Sequence, residues 1–285
     1  MDTAADKKGK PTISEGPIST RAELKQVEER VAINANVVYE TIRREGEEEL
    51  HRTVSALAWS ALAAGLSMGF SFVAEALLMS HLPDEAWRPL IDRFGYSIGF
   101  LIVVLGRQQL FTENTLTVVL PLLLHKDIAT LMRMLRLWVV VLVGNLVGTF
   151  LFALCLAKIQ LFDASTERAL SAVGLAHLGA GMGTVFVRAI FAGWLIALMV
   201  WLLPAAESAR VWIIILLTYI IGIAGFNHVI AGSTTMFYLV VTKAISFGDY
   251  ITQFFVPTLL GNMVGGISLV AALGHAQVLG GKIEK

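Results

Sequence analysis

Two short polar interruptions in an otherwise apolar chain hold the side chains best equipped for chemistry. His228 lies in Gly225-Phe226-Asn227-His228-Val229-Ile230-Ala231-Gly232-Ser233, between the uncharged stretches 211–226 and 229–242. Arg107-Gln108-Gln109-Leu110-Phe111-Thr112-Glu113-Asn114 interrupts an apolar run that starts near Phe94 and resumes from Thr115 to Leu124. An imidazole titrates ordinarily near pH ~6.5 and can donate a hydrogen bond, accept one or move a proton. An ionisable group at mid-membrane depth is expensive to desolvate and faces a bundle interior or a water-filled path. Thr112 adds a hydroxyl, Asn227 an amide and Glu113 a carboxyl. The plainer alternative makes His228 a neutral, hydrogen-bonded packing residue that ties the two interruptions together.

The elements that position these groups follow from composition. The chain has 285 residues, 56% hydrophobic and 15% charged, and its uncharged stretches approach the ~20 residues that cross a hydrocarbon core. It reads as an all-α, polytopic membrane protein with six passes: 54–80, the run broken at Thr112, 137–157, one within 169–204, the run broken at His228, and one within 251–273. The halves of each broken run are too short to span alone. A transport domain is therefore placed at 54–276, with tails at 1–53 and 277–285. No short charged segment followed by an apolar core opens the sequence, so the reading expects a retained soluble N-terminal tail. In that tail, residues 1–19 read as a disordered leader. Thr20 with Glu23 fits a capping box, and Leu24, Val27, Val31, Val38 and Ile42 follow at helical spacing to about Arg52. Lys and Arg near the ends of the passes number nine on one side and five on the other, which puts both termini in the cytoplasm.

The charges exclude other classes. With 22 basic and 22 acidic residues the net charge is zero, so no basic footprint for nucleic acid exists. Cys155 stands alone and reads as a packing residue, with no disulfide or metal framework. Arg107 and Arg188 read as buried by position, either raising the potential around a path or pairing with Glu113, Glu75 or carbonyls. His81, His125, His177 and His275 lack metal-ligand spacing. Trp87, Trp138 and Trp212 sit near segment ends and suit interfacial anchoring. No nucleophile motif, Walker loop or Rossmann glycine pattern appears, which argues against an enzyme and against any cofactor.

An internal repeat relates the interruptions. Gly144-Asn145-Leu146-Val147-Gly148 recurs as Gly261-Asn262-Met263-Val264-Gly265, 117 residues later, and the breaks at Thr112 and His228 lie 116 residues apart. Three passes repeated twice gives inverted three-helix repeats with broken second and fifth helices, the arrangement that points to a permeation site. The broken backbone must be buried in protein or line a cavity, and half-helix N-termini favour anions. The paired glycines read as helix-packing positions.

Leu110-Phe111-Thr112 in the first break, Gly225-Phe226-x-His228 in the second, Arg188 before the fourth pass and the six-pass repeat together resemble the formate/nitrite transporter family, in a divergent bacterial branch. The resemblance covers about residues 54–275. It implies an aquaporin-like fold, a homopentamer in the bacterial inner membrane with a pore in each subunit, and passage of a small monovalent anion or weak acid such as formate or nitrite. On that basis His228 is the central histidine and Thr112 the threonine that shares hydrogen bonds with it or with the substrate. Phe111, Phe226 and Asn227 line the pathway, and Tyr96, Phe100 and Ile221 form apolar constrictions. Three positions depart from the family pattern: Asn227 replaces an acidic residue, and Gly232 and Gly193 replace asparagines. Glu113 adds a negative charge that an anion path would avoid. A weak acid could cross neutral after taking up a proton, which makes protons a further partner beside membrane lipid. Two other readings remain open: a pore for a small neutral solute, and a non-conducting scaffold or sensor.

Overall fold

Helix is the regular structure throughout residues 33–269, the part described by the structure, a computed structural model. The capping box at Thr20, the helical spacing through Val31, the end of the sixth pass and the C-terminal tail lie outside those residues. The helices are α1 (Ala35–His51), α2 (Val54–His81), α3 (Ser97–Leu105), α4 (Asn114–His125), α5 (Ile128–Lys158), α6 (Ala164–Leu175), α7 (Met182–Leu202), α8 (Arg210–Ile223), α9 (Val229–Val241) and α10 (Val256–Leu269). A short helix Arg88–Asp92 and a 3-10 turn Arg93–Tyr96 lead into α3, and a π-helical turn, Tyr250–Phe255, leads into α10. Helices α2, α5 and Met182–Ala205 are long and apolar enough to cross a membrane. Helix α5 begins well before the apolar run at 137, because Asp127 caps it by accepting the Thr130 N–H. Its polar first turns face α1. Asp163 starts α6 in the same way, so the region 169–204 holds two helices and a loop.

Both interruptions end their first half-helix with the same device. The Gln108 and Phe226 N–H groups reach back to Val103 and Ile221 carbonyls at 3.0 Å, and Arg107 and Gly225 bond Val104 and Gly222. This is a Schellman cap, whose turning residue adopts the left-handed conformation. Gly225 does so at φ 63 without a Cβ penalty, whereas Arg107 holds φ 50 with a full side chain.

The backbone freed by each break is satisfied by one buried asparagine. Asn145 Oδ1 accepts the Phe111 N–H at 2.9 Å, and its Nδ2 donates to Gln109 O at 2.9 Å and Ala61 O at 2.8 Å. Asn262 repeats the pattern on Val229 N–H, Asn227 O and Ala189 O, each at 2.8 Å. Both asparagines are fully buried. Corresponding bonds at the breaks run 118 residues apart, so the position matching His228 is Leu110, not Thr112 as the 116-residue spacing suggested.

Close helix contact puts the asparagines in reach. A Cβ on Gly65 would meet the Asn145 carbonyl and Gly148, and one on Gly193 would meet the Asn262 backbone. Gly148 and Gly144 press on α2, Gly261 and Gly265 on α7. The paired glycines are therefore packing positions, as their spacing indicated. Gly193 sits where an asparagine side chain has no room. Cys155 differs from its reading: it is exposed near the end of α5.

Helix α1 lies against α4 and α5. Val38, Ile42 and Leu50 are buried, and Gly46 abuts the Thr117 carbonyl. His125 Nε2 donates to Glu47 Oε1 at 2.9 Å, and Arg136 donates to Leu50 O at 2.9 Å. Bonds from Arg43 and Arg44 hold the exposed Glu40 carboxyl down at about 2, and the His125 bond lowers Glu47.

Replacing Asn145 or Asn262 by leucine orphans one N–H and two carbonyls, at about 1–3 kcal/mol per group. Each variant is expected to unfold at clearly lower temperature in detergent, and an unchanged melting temperature would contradict the bracket. Because the Glu47 carboxyl is depressed, its contribution to α1 docking is complete above the ordinary carboxylate range of ~4.3 and is lost as pH falls through its lowered value. Hydrogen exchange in α1 is accordingly expected to quicken on acidification below about pH 4, and less so in Glu47→Gln.

Candidate functional site

His228 and Thr112 meet where the two breaks face each other. His228 is the N-cap of α9, and its Nδ1 accepts the Ala231 N–H at 3.2 Å. A backbone N–H can only donate, so Nδ1 presents its lone pair and the ring proton sits on Nε2. Nε2–H then donates to Thr112 Oγ1 at 2.7 Å. Both side chains are almost wholly buried. Since Oγ1 accepts from the imidazole, the Thr112 hydroxyl hydrogen remains available to a third group.

Neighbours fix Thr112 in turn. Thr115 Oγ1 donates to the Thr112 carbonyl at 2.7 Å, and Asn114 Nδ2 donates to Gln109 Oε1 at 2.9 Å. Trp138 Nε1 donates to Asn114 O at 3.1 Å, and its ring meets Phe111 edge-on with centroids 6.0 Å apart. Trp138 is thus a buried support of the first break, which corrects its reading as an interfacial anchor. Its polar N–H found a partner in the broken backbone instead of the membrane surface. Trp87 and Trp212 are exposed.

An aromatic series leads away from the imidazole. Phe100 stands edge-on to His228 at 5.0 Å, and Tyr96 lies 5.3 Å from Phe100. Ile221 is fully buried, and the neighbouring Gly222 lies against Tyr96 and the Arg93 carbonyl. Ser71 Oγ donates to the Tyr96 carbonyl at 2.5 Å and accepts the Gly99 N–H at 3.0 Å, which fixes the start of α3. Beyond His228, the ring of Phe254 fills the space beside Gly232. The missing asparagine there leaves no hole.

The remaining sequence-derived residues divide. Asn227 is buried, but its amide donates to Val185 O at 3.5 Å and its carbonyl is taken by Asn262. Phe226 stacks on Phe191 with centroids 5.2 Å apart. Arg107 and Arg188 are exposed, which overturns their burial by position. The left-handed turn at Arg107 aims it outward, where α1 supplies Glu45 at 3.4 Å. Glu75 pairs with Arg93 instead. Glu113 keeps Oε1 buried without a partner, and Arg188 makes no ion pair among the described residues. The bracketing role of the two asparagines, and the parts of Gln109, Asn114 and Thr115 in holding the site, were not singled out from sequence. The signal for the first two was the asparagine repeated between glycines.

Comparison with known proteins agrees with this geometry. The family model for formate/nitrite transporters matches residues 36–276. The inner membrane protein YfdC of Escherichia coli (strain K12) is 40% identical over 251 residues, covering 88% of this chain and 81% of YfdC. The formate channel BtFdhC of Bacillus thuringiensis is 25% identical over 247 residues, covering 82% of this chain and 91% of the channel. Among solved structures, an FNT family ion channel aligns with a TM-score of 0.73 at 20% identity, over 85% of this chain and 99% of that one. A pentameric formate channel with formate bound aligns at 0.67 and 21%, over 79% and 98%. Both share the fold. With a family model matching most of its length, the chain belongs to the formate/nitrite transporter family.

Proposed function

We propose that the protein is a passive, pH-sensitive conduit for a small monovalent anion or its conjugate weak acid, of the formate or nitrite class. The observation that carries the reading is the 2.7 Å bond between His228 Nε2 and Thr112 Oγ1, buried at the meeting of two broken helices and closed off by Phe100. Thr112 offers its hydroxyl hydrogen to the solute, and Nε2–H can turn from Thr112 to the solute when one arrives. A bare anion at the apolar constriction of Tyr96, Phe100 and Ile221 loses its hydration at a cost of many kcal/mol. Crossing with a proton removes that cost, so flux rises as pH falls.

The reading includes six passes as two inverted three-helix repeats, with 54–276 as the transport domain. The matching Schellman caps and asparagine brackets favour it. Tails 1–53 and 277–285 lie in the cytoplasm, and α1 belongs to the first of them. The protein sits in the bacterial inner membrane as a homopentamer, by analogy with YfdC and with the pentameric formate channel it resembles. The family consists of transporters and channels, which sets enzymatic chemistry aside.

Glu113 favours a second reading. The half-buried carboxyl of Glu113, next to Thr112 in the chain and with Oε1 unpartnered, opposes a bare anion, and a small neutral solute would pass it without repulsion.

Formate uptake into liposomes holding the purified protein is expected to be faster at external pH 5 than at pH 7. His228→Phe and Thr112→Val each remove a hydrogen bond to the solute, about 0.5–1.5 kcal/mol, and are expected to cut uptake about two- to tenfold. Unchanged flux in both, with assembly intact, would remove the pair from the path. Glycerol flux that formate does not inhibit would select the neutral-solute reading.

A further inference from the structure

One turn along α9 from His228, the bundle is closed by a ring to which the site above gives no role. The Gly232 N–H donates to the His228 carbonyl at 2.9 Å, so Gly232 stands one helical turn beyond the N-cap. The tip of the Phe254 ring presses on Gly232 so closely that a Cβ there has no room. Two neighbours hold the ring in place: His177 meets it edge-on and Tyr250 stacks on it, each with centroids 6.4 Å away. Tyr250 is itself tied to α9. Ser233 Oγ donates its one hydrogen to Val229 O at 2.5 Å, so at 2.9 Å the Tyr250 hydroxyl is the donor to Ser233 Oγ.

The π-helical turn aims the ring at this point. In the first break Trp138, seven residues before Asn145, reaches the Asn114 carbonyl. In the register that relates Phe111 to Val229, 118 residues apart, the match of Asn114 is Gly232, and Phe254 stands eight residues before Asn262. The one-residue difference falls in the turn Tyr250–Phe255, where the Val256 N–H bonds the Ile251 carbonyl five residues back. A π turn takes in one residue more than an α turn. Phe254 thereby comes to the second break where Trp138 comes to the first. Trp138 gives an N–H to the broken backbone, whereas a phenyl ring contributes bulk alone.

We infer that Phe254 is a specificity-determining residue, which limits the solute at His228 to compact oxyanions and acids of the size of formate or nitrite. The inference rests on the anion reading above. A carboxylate held by His228 and Thr112 must find room for whatever its carbon carries, and Phe100 already stands against the imidazole. Formate carries a hydrogen there, and nitrite has a lone pair. Acetate and propionate carry a methyl or an ethyl group, for which the ring beside Gly232 leaves no space. Behind that ring stands a residue without a side chain, so truncating Phe254 opens room that Gly232 does not refill.

Parallel uptake of formate, acetate and propionate into liposomes at one pH, each corrected for protein-free liposomes, tests the filter. The unaltered protein is expected to pass formate and exclude propionate. Phe254→Ala is expected to raise the propionate-to-formate ratio about tenfold, and Gly232→Ala added to it to bring the ratio back toward the unaltered value. Phe254→Leu, which keeps most of the packing, is expected to admit acetate more readily than propionate. A packing role alone would lower all three fluxes together and leave their ratios where they were. Ratios unchanged in both Phe254 variants, or propionate flux matching that of formate in the unaltered protein, overturn the filter while the anion reading stands. Absence of formate flux in the unaltered protein sinks the anion reading, and the filter with it.

Discussion

The constraint on which the rest depends is backbone hydrogen bonding in a place water does not reach. A helix that breaks inside an apolar bundle frees N–H and C=O groups, and each one left unpaired costs about 1–3 kcal/mol. Here two asparagine amides take over that role, one for each break. An amide suits it because one planar group accepts and donates at once. Its second N–H then ties the break to a neighbouring helix at Ala61 or Ala189. Leucine or alanine at either position supplies none of these bonds.

The two central side chains, Thr112 and His228, are placed by those brackets, which hold the neighbouring Phe111 and Val229 N–H groups. Gly65 and Gly193 let α2 and α7 come close enough for the amides to reach across. With Val229 N–H held by Asn262, α9 starts at a fixed point, and His228 becomes its cap. Capping commits Nδ1 as an acceptor and turns Nε2 toward Thr112. The tautomer that faces the other break is thus a consequence of how the second break is satisfied. Tyr96 and Phe100 are brought to the same axis by separate means, through Ser71 and the close approach of Gly95 and Gly99 to α2.

Much of this was legible in the sequence. The histidine and threonine stood out because polar residues interrupted long apolar runs, and the structure brings them into direct contact. The Gly-Asn-x-Val-Gly recurrence was visible, and its glycines do pack helices. The asparagine between them carried more than packing, which spacing alone does not reveal because its partners are main-chain atoms elsewhere in the chain. The register of the breaks was also hidden: loops of different length shift the offset, so Thr112 and His228 are partners without being equivalents. Arg107 was misplaced for a local reason, since a left-handed turn sends its side chain outward and nothing in the sequence marks a non-glycine residue for that conformation. Trp138 was misjudged because an indole near a segment end serves equally well at a membrane surface or on a broken backbone.

Nitrogen NMR of histidine-labelled protein in liposomes, with the His228 signals identified by their loss in His228→Phe, reads the central bond most directly. The expected result is a single protonated nitrogen at Nε2 whose signal shifts when formate is added, while Nδ1 keeps the signature of a hydrogen-bond acceptor. A proton on Nδ1, or an Nε2 signal indifferent to formate, would contradict a path in which His228 and Thr112 meet the solute.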